Sequence, residues 1–201
     1  MKKTLRQYQL GVILSSLKEH PSPKYFLEQY SITPGIAAEV LFLAKKDIKS
    51  KVVFDLGCGT GRFAIGAALL GAKEVCGVDM DQHALDVAMM NATMSERDTS
   101  MPITKICRWI RSDVESLDAS CDTVVQFPPF ARDKVFLKKA LEISENIYSL
   151  HRATPKTKKE LEKICKEAKA KIIKTKEFPY YIPWEEEGKI GRKILLVIIK
   201  K

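Results

Sequence analysis

Three aspartates in the middle of the sequence have the type and spacing for ligand binding. Asp55, Asp79 and Asp113 each end a short apolar run that we interpret as a buried strand. The carboxyl ends of parallel strands meet at one edge of a sheet, where open α/β folds bind their ligands. Asp79 lies 24 residues after Asp55, and a carboxylate at that place can accept both hydroxyl groups of a ribose. Asp113, with Val114 as an apolar neighbour, fits an acceptor for an adenine amine and equally fits the cap of a turn or helix.

A glycine-rich segment, DLGCGTGRF (55–63), joins the first of these strands to a helix. Gly57, Gly59 and Gly61 let the backbone turn sharply and approach a ligand without interference from a Cβ atom. Their spacing, GxGxG, differs from the GxGxxG of dinucleotide-binding folds, in which a pyrophosphate rests on the helix N-terminus. Asp55, which stands just before the glycines, would repel such an anion. The segment therefore predicts a cationic cofactor, and S-adenosylmethionine carries both an ammonium and a sulfonium group.

A rigid aromatic segment, QFPPF (126–130), follows a fourth apolar run. Pro128 and Pro129 can neither continue a strand nor enter a helix, so they predict an extended loop at the same edge of the sheet. Phe127 and Phe130 bracket the prolines, and we expect them to form an aromatic slot that can stack on a flipped base. The alternative is a loop that the two phenylalanines anchor in the core.

The elements that must position these residues alternate along the chain. We expect helices over residues 4–19, 35–47, 63–71, 82–95 and 134–149 and from Thr157 to about residue 170, and strands over 51–57, 74–81, 103–113, 121–127, 171–182 and 193–201. This order predicts a Rossmann-like α/β domain, in which a mainly parallel sheet has an antiparallel edge and helices cover both faces.

Basic residues are concentrated at the two ends of the chain. Residues 1–50 carry a net charge of +4, residues 51–150 carry −3 and residues 151–201 carry +8. Basic segments around a mildly acidic middle suit a protein that binds a phosphate backbone, although a solvated lysine-rich face gives the same pattern. We expect the lysine-rich segment 156–176 and the basic N-terminus to lie toward one rim and hold RNA phosphates.

The cysteines and the hydropathy of the sequence indicate the cellular compartment in which the protein works. The five cysteines are scattered without a CxxC pair, so they predict neither a zinc site nor a disulfide framework, and we expect a reducing cytoplasm. No apolar run approaches the ~18 residues that span a bilayer. The N-terminal run LGVIL is followed by a charged helix rather than a cleavage site, so we do not expect a signal peptide.

The glycine segment, the acidic strand end, Asp113 and the PPF of residues 128–130 occur in an order that resembles amino-methyltransferases whose loop reads Asn-Pro-Pro-Phe or Asn-Pro-Pro-Tyr. Four further motifs are similar to the methyltransferase-like branch that modifies an adenine N6 in small-subunit ribosomal RNA: LEQY (27–30), TP (33–34), FLKKALE (136–142) and YSLH (148–151). The resemblance covers most of the chain. It implies one class I methyltransferase domain over residues 1–201, in which residues 1–50 form a helical extension and a cofactor lid.

The resemblance also implies which residues contact the cofactor and the substrate. Together with the glycine segment, it predicts cofactor contacts at Gln29, Thr33, Asp55, Gly57, Gly59, Thr60, Gly61, Arg62, Asp79, Asp113 and Val114. Ile32 competes with Thr33 for its place in the alignment. The reacting end is predicted at Phe127, Pro128, Pro129 and Phe130. The implied partners are ribosomal RNA and a small zinc-binding activator protein. The implied reaction, a direct displacement at the methyl group of the cofactor, needs no metal.

One residue departs from the family pattern. Phe127 stands where the family has an asparagine, whose carbonyl oxygen accepts a hydrogen bond from the amine being methylated; phenylalanine has no acceptor. A backbone carbonyl of the proline loop can take over this role, Gln126 can supply an amide from a shifted strand end, or the protein binds cofactor and RNA with little turnover. Gln126 would point to the opposite face from Phe127, which counts against the second outcome.

Three functions follow from these residues. The first is an RNA adenine-N6 methyltransferase, which we expect on the strength of the basic ends and the motifs. The second is a protein glutamine N5-methyltransferase, because those enzymes share the paired prolines. The third is a catalytically impaired cofactor- and RNA-binding module, because Phe127 lacks the acceptor.

Overall fold

Strands and helices alternate over most of the chain, and the computed structural model describes residues 5–24, 28–29, 31–180 and 192–201. The described helices are α1 (Gln7–Ser15), α2 (Pro34–Leu43), α3 (Lys45–Ile48), α4 (Arg62–Leu69), α5 (Gln82–Thr99), α6 (Ile103–Ile106), α7 (Asp133–Ile143) and α8 (Pro155–Glu167). The strands are β1 (Val52–Leu56), β2 (Glu74–Asp79), β3 (Cys107–Arg111), β4 (Thr123–Gln126), β5 (Asn146–Arg152), β6 (Lys171–Pro179) and β7 (Lys193–Lys200).

The seven strands form one sheet in the order β3-β2-β1-β4-β5-β7-β6. The first five in this order are parallel, and β7 pairs antiparallel with both β5 and β6. The predicted mainly parallel sheet with an antiparallel edge is confirmed. The strand order reverses between β1 and β4, and a crevice opens outside the carboxyl ends of the strands at such a switch point.

Helices cover both faces of the sheet, as predicted, because alternate residues of each strand point to opposite sides. Val53 of β1 and Val125 of β4 pack on one face against α1, α2 and α4. Phe54 and Val124, their neighbours in the chain, pack on the other face against α7 and α8. The sheet is therefore held between two apolar cores, and its carboxyl edge stays free for the functional loops.

The predicted helix over residues 134–149 is wrong in its second half. Helix α7 ends at Ile143, and β5 begins at Asn146. This strand lacks an uninterrupted apolar run, because Ser149 and His151 occupy two of its buried positions and hydrogen-bond to each other at 2.7 Å. Polar residues that satisfy each other inside a core cannot be distinguished from surface residues by hydropathy alone.

Several element boundaries also differ from the predictions; for example, α1 ends at Ser15 and α5 extends to Thr99. Residues 103–106 form a short helix instead of the start of a strand, because β3 pairs with β2 only from Cys107 onward. Helix α8 begins before Thr157, since the side chain of Thr154 accepts a hydrogen bond from the Thr157 amide and caps the helix. Parts of three predictions lie outside the described residues, namely Leu27 and Tyr30 of the LEQY motif, residue 4 of the first helix, and residues 181–191 after β6.

The described helices are too short or too polar to cross a membrane. The longest of them, α5, carries several charged side chains along its length.

Candidate active site

A cavity opens at the carboxyl edge of the sheet, beside the ends of β1, β2 and β4. Nine of the eleven residues predicted to contact the cofactor line it: Gln29, Asp55, Gly57, Gly59, Thr60, Arg62, Asp79, Asp113 and Val114. From the proline loop, Phe127 and Pro129 line the same cavity. The structure therefore brings the predicted cofactor residues and the predicted substrate loop to one place.

The glycine segment turns tightly at the floor of this cavity. Gly57 has a φ of +70°, and a Cβ atom there would lie 3.0 Å from the Phe136 ring. Gly61 does not line the cavity: it has a φ of +87°, and a Cβ atom there would lie 2.7 Å from the Trp109 ring. Gly61 is thus required for the packing of the turn against the sheet, and its predicted contact with the cofactor is not supported by its position.

Asp55 is a fully buried carboxylate at the end of β1. Its Oδ2 atom accepts a hydrogen bond from the Ala64 amide at 2.9 Å. Burial raises the pKa of Asp55 to about 8, and the negative charge of Asp79 adds to the increase. A buried carboxyl with unused acceptor sites, in a cavity, fits the ammonium group of an amino acid.

We predict that binding of S-adenosylmethionine releases a proton from Asp55. Below pH 8 the carboxyl is protonated in the free protein, and an ammonium ion stabilises its ionised form, so affinity should rise with pH between about 6 and 8, by up to tenfold per unit. In the free protein, the same raised pKa lowers the free energy of unfolding as the pH rises from about 4 toward 8. The reason is that Asp55 loses its proton at a lower pH in the unfolded chain than in the folded one.

Calorimetry in buffers of different ionisation enthalpy measures this proton directly. Asp55→Asn is the control: it should bind more weakly at pH 8 and lose the pH dependence. An affinity of the native protein that stays constant between pH 6 and 8 would contradict the prediction.

Asp79, at the end of β2, is held in place by the backbone around it. Its Oδ2 atom accepts from the Gly59 amide at 2.8 Å and its Oδ1 atom accepts from the Asp81 amide at 2.9 Å. Burial raises the pKa of Asp79. Each oxygen keeps a further acceptor site, so the carboxylate can take the two hydroxyl groups of a ribose.

Arg62 supplies a buried positive charge at the cavity wall. Its guanidinium donates to the Ile32 carbonyl and, at 2.5 Å, to Glu19. Its Nε atom is buried and has no hydrogen-bond partner within the described residues. A buried donor that makes no hydrogen bond destabilises the folded protein. This Nε atom therefore fits the carboxylate of an amino acid. With Asp55 for the ammonium and Asp79 for the ribose, the residues of the cavity fit S-adenosylmethionine.

The N-terminal segment closes one side of the cavity. Gln29 donates to Asp81 at 2.7 Å and accepts from the Lys24 amide at 2.6 Å. Thr33 does not line the cavity, because its hydroxyl caps α2 by accepting from the Ile36 amide. Ile32 lines the cavity in its place. Of the two positions that compete in the alignment, Ile32 is thus the one that faces the cavity.

Asp113 forms an ion pair that the sequence did not indicate. Both nitrogen termini of the Arg132 guanidinium donate to its two oxygens, at 2.9 and 3.0 Å. These hydrogen bonds, together with one from the Glu115 amide, lower the pKa of Asp113. Asp113 thus caps the turn after β3 and also faces the cavity, with Val114 buried beside it. Arg132 lines the cavity as well. Its position two residues after the QFPPF segment was the signal in the sequence that could have indicated it.

Phe127 and Phe130 do not form the predicted slot. Their rings pack edge to face, with centroids 5.7 Å apart, which leaves no room for a base between them. Phe127 makes a second edge contact with Tyr180, at 5.3 Å, and the Arg152 guanidinium lies 4.7 Å from the centre of the Phe130 ring. Phe127 and Pro129 reach the cavity, while Pro128 is buried and Phe130 packs behind them. Of the four predicted residues at the reacting end, only Phe127 and Pro129 therefore face the cavity.

Gln126 does not replace the missing acceptor. It is fully buried on the opposite face of the sheet from Phe127, and its amide nitrogen donates to the Ser149 hydroxyl at 2.8 Å. The strand end is not shifted, which excludes the second of the three outcomes that the sequence left open.

The chain is similar in sequence and in structure to known and proposed methyltransferases. A sequence model of the ribosomal protein L11 methyltransferase family matches residues 37–126. The zebrafish (Danio rerio) rRNA N(6)-adenosine-methyltransferase METTL5 is 33% identical over 189 residues, and the match covers 87% of each chain. An uncharacterised protein of Methanocaldococcus jannaschii is 42% identical over 156 residues, covering 73% of this chain and 71% of the other. The crystal structure of a proposed RNA methyltransferase from Pyrococcus horikoshii is 35% identical, covers 98% of each chain and superimposes with a TM-score of 0.87.

Proposed function

The chain belongs to the family of rRNA N(6)-adenosine-methyltransferases, and on that premise we propose that it methylates an adenine N6 of ribosomal RNA. It is an S-adenosylmethionine-dependent methyltransferase. The observation that carries the proposal is the shared cavity: acceptors that fit the ribose and the ammonium group, Asp79 and Asp55, line the same space as Phe127 and Pro129 of the proline loop.

We assign a role to each side of the cavity. Asp55 and Arg62 hold the amino-acid end of the cofactor, Asp79 the ribose and Asp113 the adenine amine. S-adenosylmethionine supplies an electrophilic methyl group on its sulfonium. The proline loop places the substrate amine in line with that methyl group, so that catalysis rests mainly on proximity and alignment.

The substrate amine needs an acceptor that orients its lone pair, and the loop backbone provides candidates. The Pro129 carbonyl already accepts from the Arg132 amide at 3.0 Å. Within the described residues the carbonyls of Phe127 and Pro128 are left for this role. A backbone acceptor is less well aimed than the family's asparagine, so we propose a slower enzyme rather than an inactive one.

We also propose that residues 1–50 act as the cofactor lid of a single domain over residues 1–201. Two contacts support this role: Gln29 bonds to Asp81 at the rim, and the Glu28 carboxylate accepts from the Ala131 amide of the proline loop at 3.1 Å. The lid thus contacts both the cofactor side and the substrate side of the cavity.

Whether the basic N-terminus and the segment 156–176 share one rim stays a prediction, because Lys2 and Lys3 fall outside the described residues and helix α1 carries no lysine or arginine. Helix α1 packs on the opposite face of the sheet from α8. Lys156 and Lys159 are in the first turns of α8, directly after β5 ends beside the cavity edge. Lys166 is about 15 Å further along the helix. We propose that Arg152, Lys156 and Lys159 hold RNA phosphates, because all three are exposed at the cavity end.

We predict that Lys156→Ala combined with Lys159→Ala weakens RNA binding and makes the slope of log affinity against log salt shallower, by roughly 0.7–0.9 per lysine. The matched control is Lys166→Ala with Lys169→Ala, which removes equal charge from the far end and should leave the slope unchanged. Titration of labelled RNA between 50 and 200 mM salt measures both. Equal slopes for the two variants would show that Lys156 and Lys159 do not contact RNA phosphates and belong to a solvated surface.

A protein substrate is the second candidate, and the match to the ribosomal protein L11 methyltransferase family favours it. That match ends at residue 126, just before the proline loop, so it covers the cofactor half alone. Incubating unmodified small ribosomal subunits with methyl-labelled cofactor, with and without a zinc-binding activator protein, separates the candidates. We expect the label in the RNA fraction; label in the protein fraction would support the second candidate.

The proposal includes a cytoplasmic location, where the five free thiols stay reduced.

A further inference from the structure

A chain of four buried polar side chains runs behind the proline loop. Gln126 donates from Nε2 to the Ser149 hydroxyl at 2.8 Å, and that hydroxyl lies 2.7 Å from Nε2 of His151. The Nδ1 atom of His151 lies 3.3 Å from the Asp133 carboxylate. Gln126, Ser149 and His151 are fully buried, and Asp133 is nearly so. Because the amide nitrogen can only donate, the Ser149 hydrogen is free to be donated to His151.

The two ends of this chain are the residues that flank the proline loop. Gln126 is the last residue of β4 and Asp133 is the first of α7, so the loop between them is residues 127–132. Ser149 and His151 are both on β5, the strand next to β4. Two side chains of one rigid strand thus tie together the start and the end of the loop that carries Phe127.

The order Ser-His-Asp resembles the triad of hydrolases, but its surroundings exclude that role. Neither Ser149 nor His151 lines the cavity, and both have no exposed surface. A nucleophile must reach its substrate, whereas a hydroxyl that is closed off by the sheet and by α7 cannot. The chain can act on the reaction only through the loop that it holds.

We propose that Ser149 and His151 are positioning residues for methyl transfer, which fix residues 127–132 from behind through Gln126 and Asp133. This rests on the proposed function. The front of the same loop is held by Glu28 and Asp113, which bond to Ala131 and Arg132. Displacing a reacting group by about 1 Å costs up to a hundredfold in rate, so the rear contacts set the rate without touching cofactor or RNA.

The test compares two buried serines. Ser149→Ala breaks the chain at its centre, and we expect kcat to fall about 10- to 100-fold while KM for RNA and the Kd of the cofactor stay within twofold. Ser144→Ala is the matched control, because Ser144 is also buried and its hydroxyl bonds to Asn146 at the other end of β5. The control should lose a similar amount of thermal stability and keep its kcat.

A second pair of variants, both at Asp133, separates the effect of its hydrogen bond with His151 from the effect of its negative charge. Asp133→Asn and Asp133→Ala both remove the negative charge at the start of α7, but asparagine keeps an oxygen that can accept from His151. We expect a nearly native kcat for Asp133→Asn and a 10-fold or greater loss for Asp133→Ala. Equal kcat values in this pair, or a kcat of Ser149→Ala within twofold of the native protein, would overturn the proposal.

Hydrogen exchange of the peptides that cover residues 127–132 gives a readout that does not depend on turnover. We expect faster exchange in Ser149→Ala and native exchange in Ser144→Ala. If the native protein methylates no RNA but this difference appears, the proposed function fails while the fixing of the loop stands. Equal exchange in all three proteins would overturn the fixing of the loop, whatever the activity.

Discussion

Replacing Phe127 with asparagine is expected to raise the single-turnover rate of methyl transfer to RNA by about 100-fold. The change places a carbonyl oxygen where the amine needs an oriented acceptor, and one such group contributes roughly a hundred- to a thousandfold in related polar sites. Cofactor affinity should stay within twofold, because the residues that fit the cofactor are carried by other elements. The lost ring contacts with Phe130 and Tyr180 should lower the melting temperature by a few degrees.

Phe130→Asn is the matched control, since it removes the other ring of the same pair without placing an amide at the cavity. It should not raise the rate. A rate for Phe127→Asn at or below the native value, in protein that is folded and binds cofactor, would show that the native site is built around the ring. The absence of transfer by both proteins, with an activator protein present, would contradict the catalytic role.

Replacing Asp79 with alanine is expected to weaken cofactor binding about 10- to 150-fold, which corresponds to ~1.5–3 kcal/mol for a charged acceptor. The change removes the partner of the ribose hydroxyls and also the two backbone bonds to Gly59 and Asp81 that shape the cavity floor. Calorimetry with S-adenosylmethionine measures the dissociation constant, which we expect to be low micromolar in the native protein.

The control for this variant is Asp86→Ala, about one turn into α5, where an exposed carboxylate accepts a hydrogen bond from Gln82 outside the cavity. Its dissociation constant should stay within twofold of the native value. If Asp79→Ala binds the cofactor with native affinity, Asp79 does not bind the ribose. If the native protein binds no cofactor, the cavity is not the cofactor site.

Most of the predicted cofactor residues line the cavity because they are specified by local backbone geometry. A glycine at a positive φ, such as Gly57, or an acid at the end of a strand, such as Asp79, is visible in a linear pattern. Thr33 was placed one position away because the turn before α2 decides which residue faces the cavity. Arg132 was missed because an ion pair with Asp113 joins residues that the fold, not the sequence, brings together.

The substrate side was less predictable because tertiary packing determines it. The two prolines correctly indicated that β4 ends in a loop. The Phe127 ring, however, packs against both Phe130 and Tyr180, and Tyr180 directly follows β6 in a distant part of the sequence. Strand β5 was missed for a related reason: its buried positions Ser149 and His151 are polar, and only the contacts with Gln126 and Asp133 allow them to be buried. The same polar chain that concealed the strand is the one that we propose fixes the loop.

Methyl transfer to an adenine N6 is tested most directly by mass spectrometry of nucleosides from small-subunit ribosomal RNA that lacks the modification. The RNA is first incubated with this protein and with S-adenosylmethionine that carries a trideuterated methyl group. We expect labelled N6-methyladenosine approaching one per RNA molecule with the native protein, and none with Asp79→Ala. RNA in which adenosine carries no label, or label found only in another nucleoside or in ribosomal protein, would contradict it.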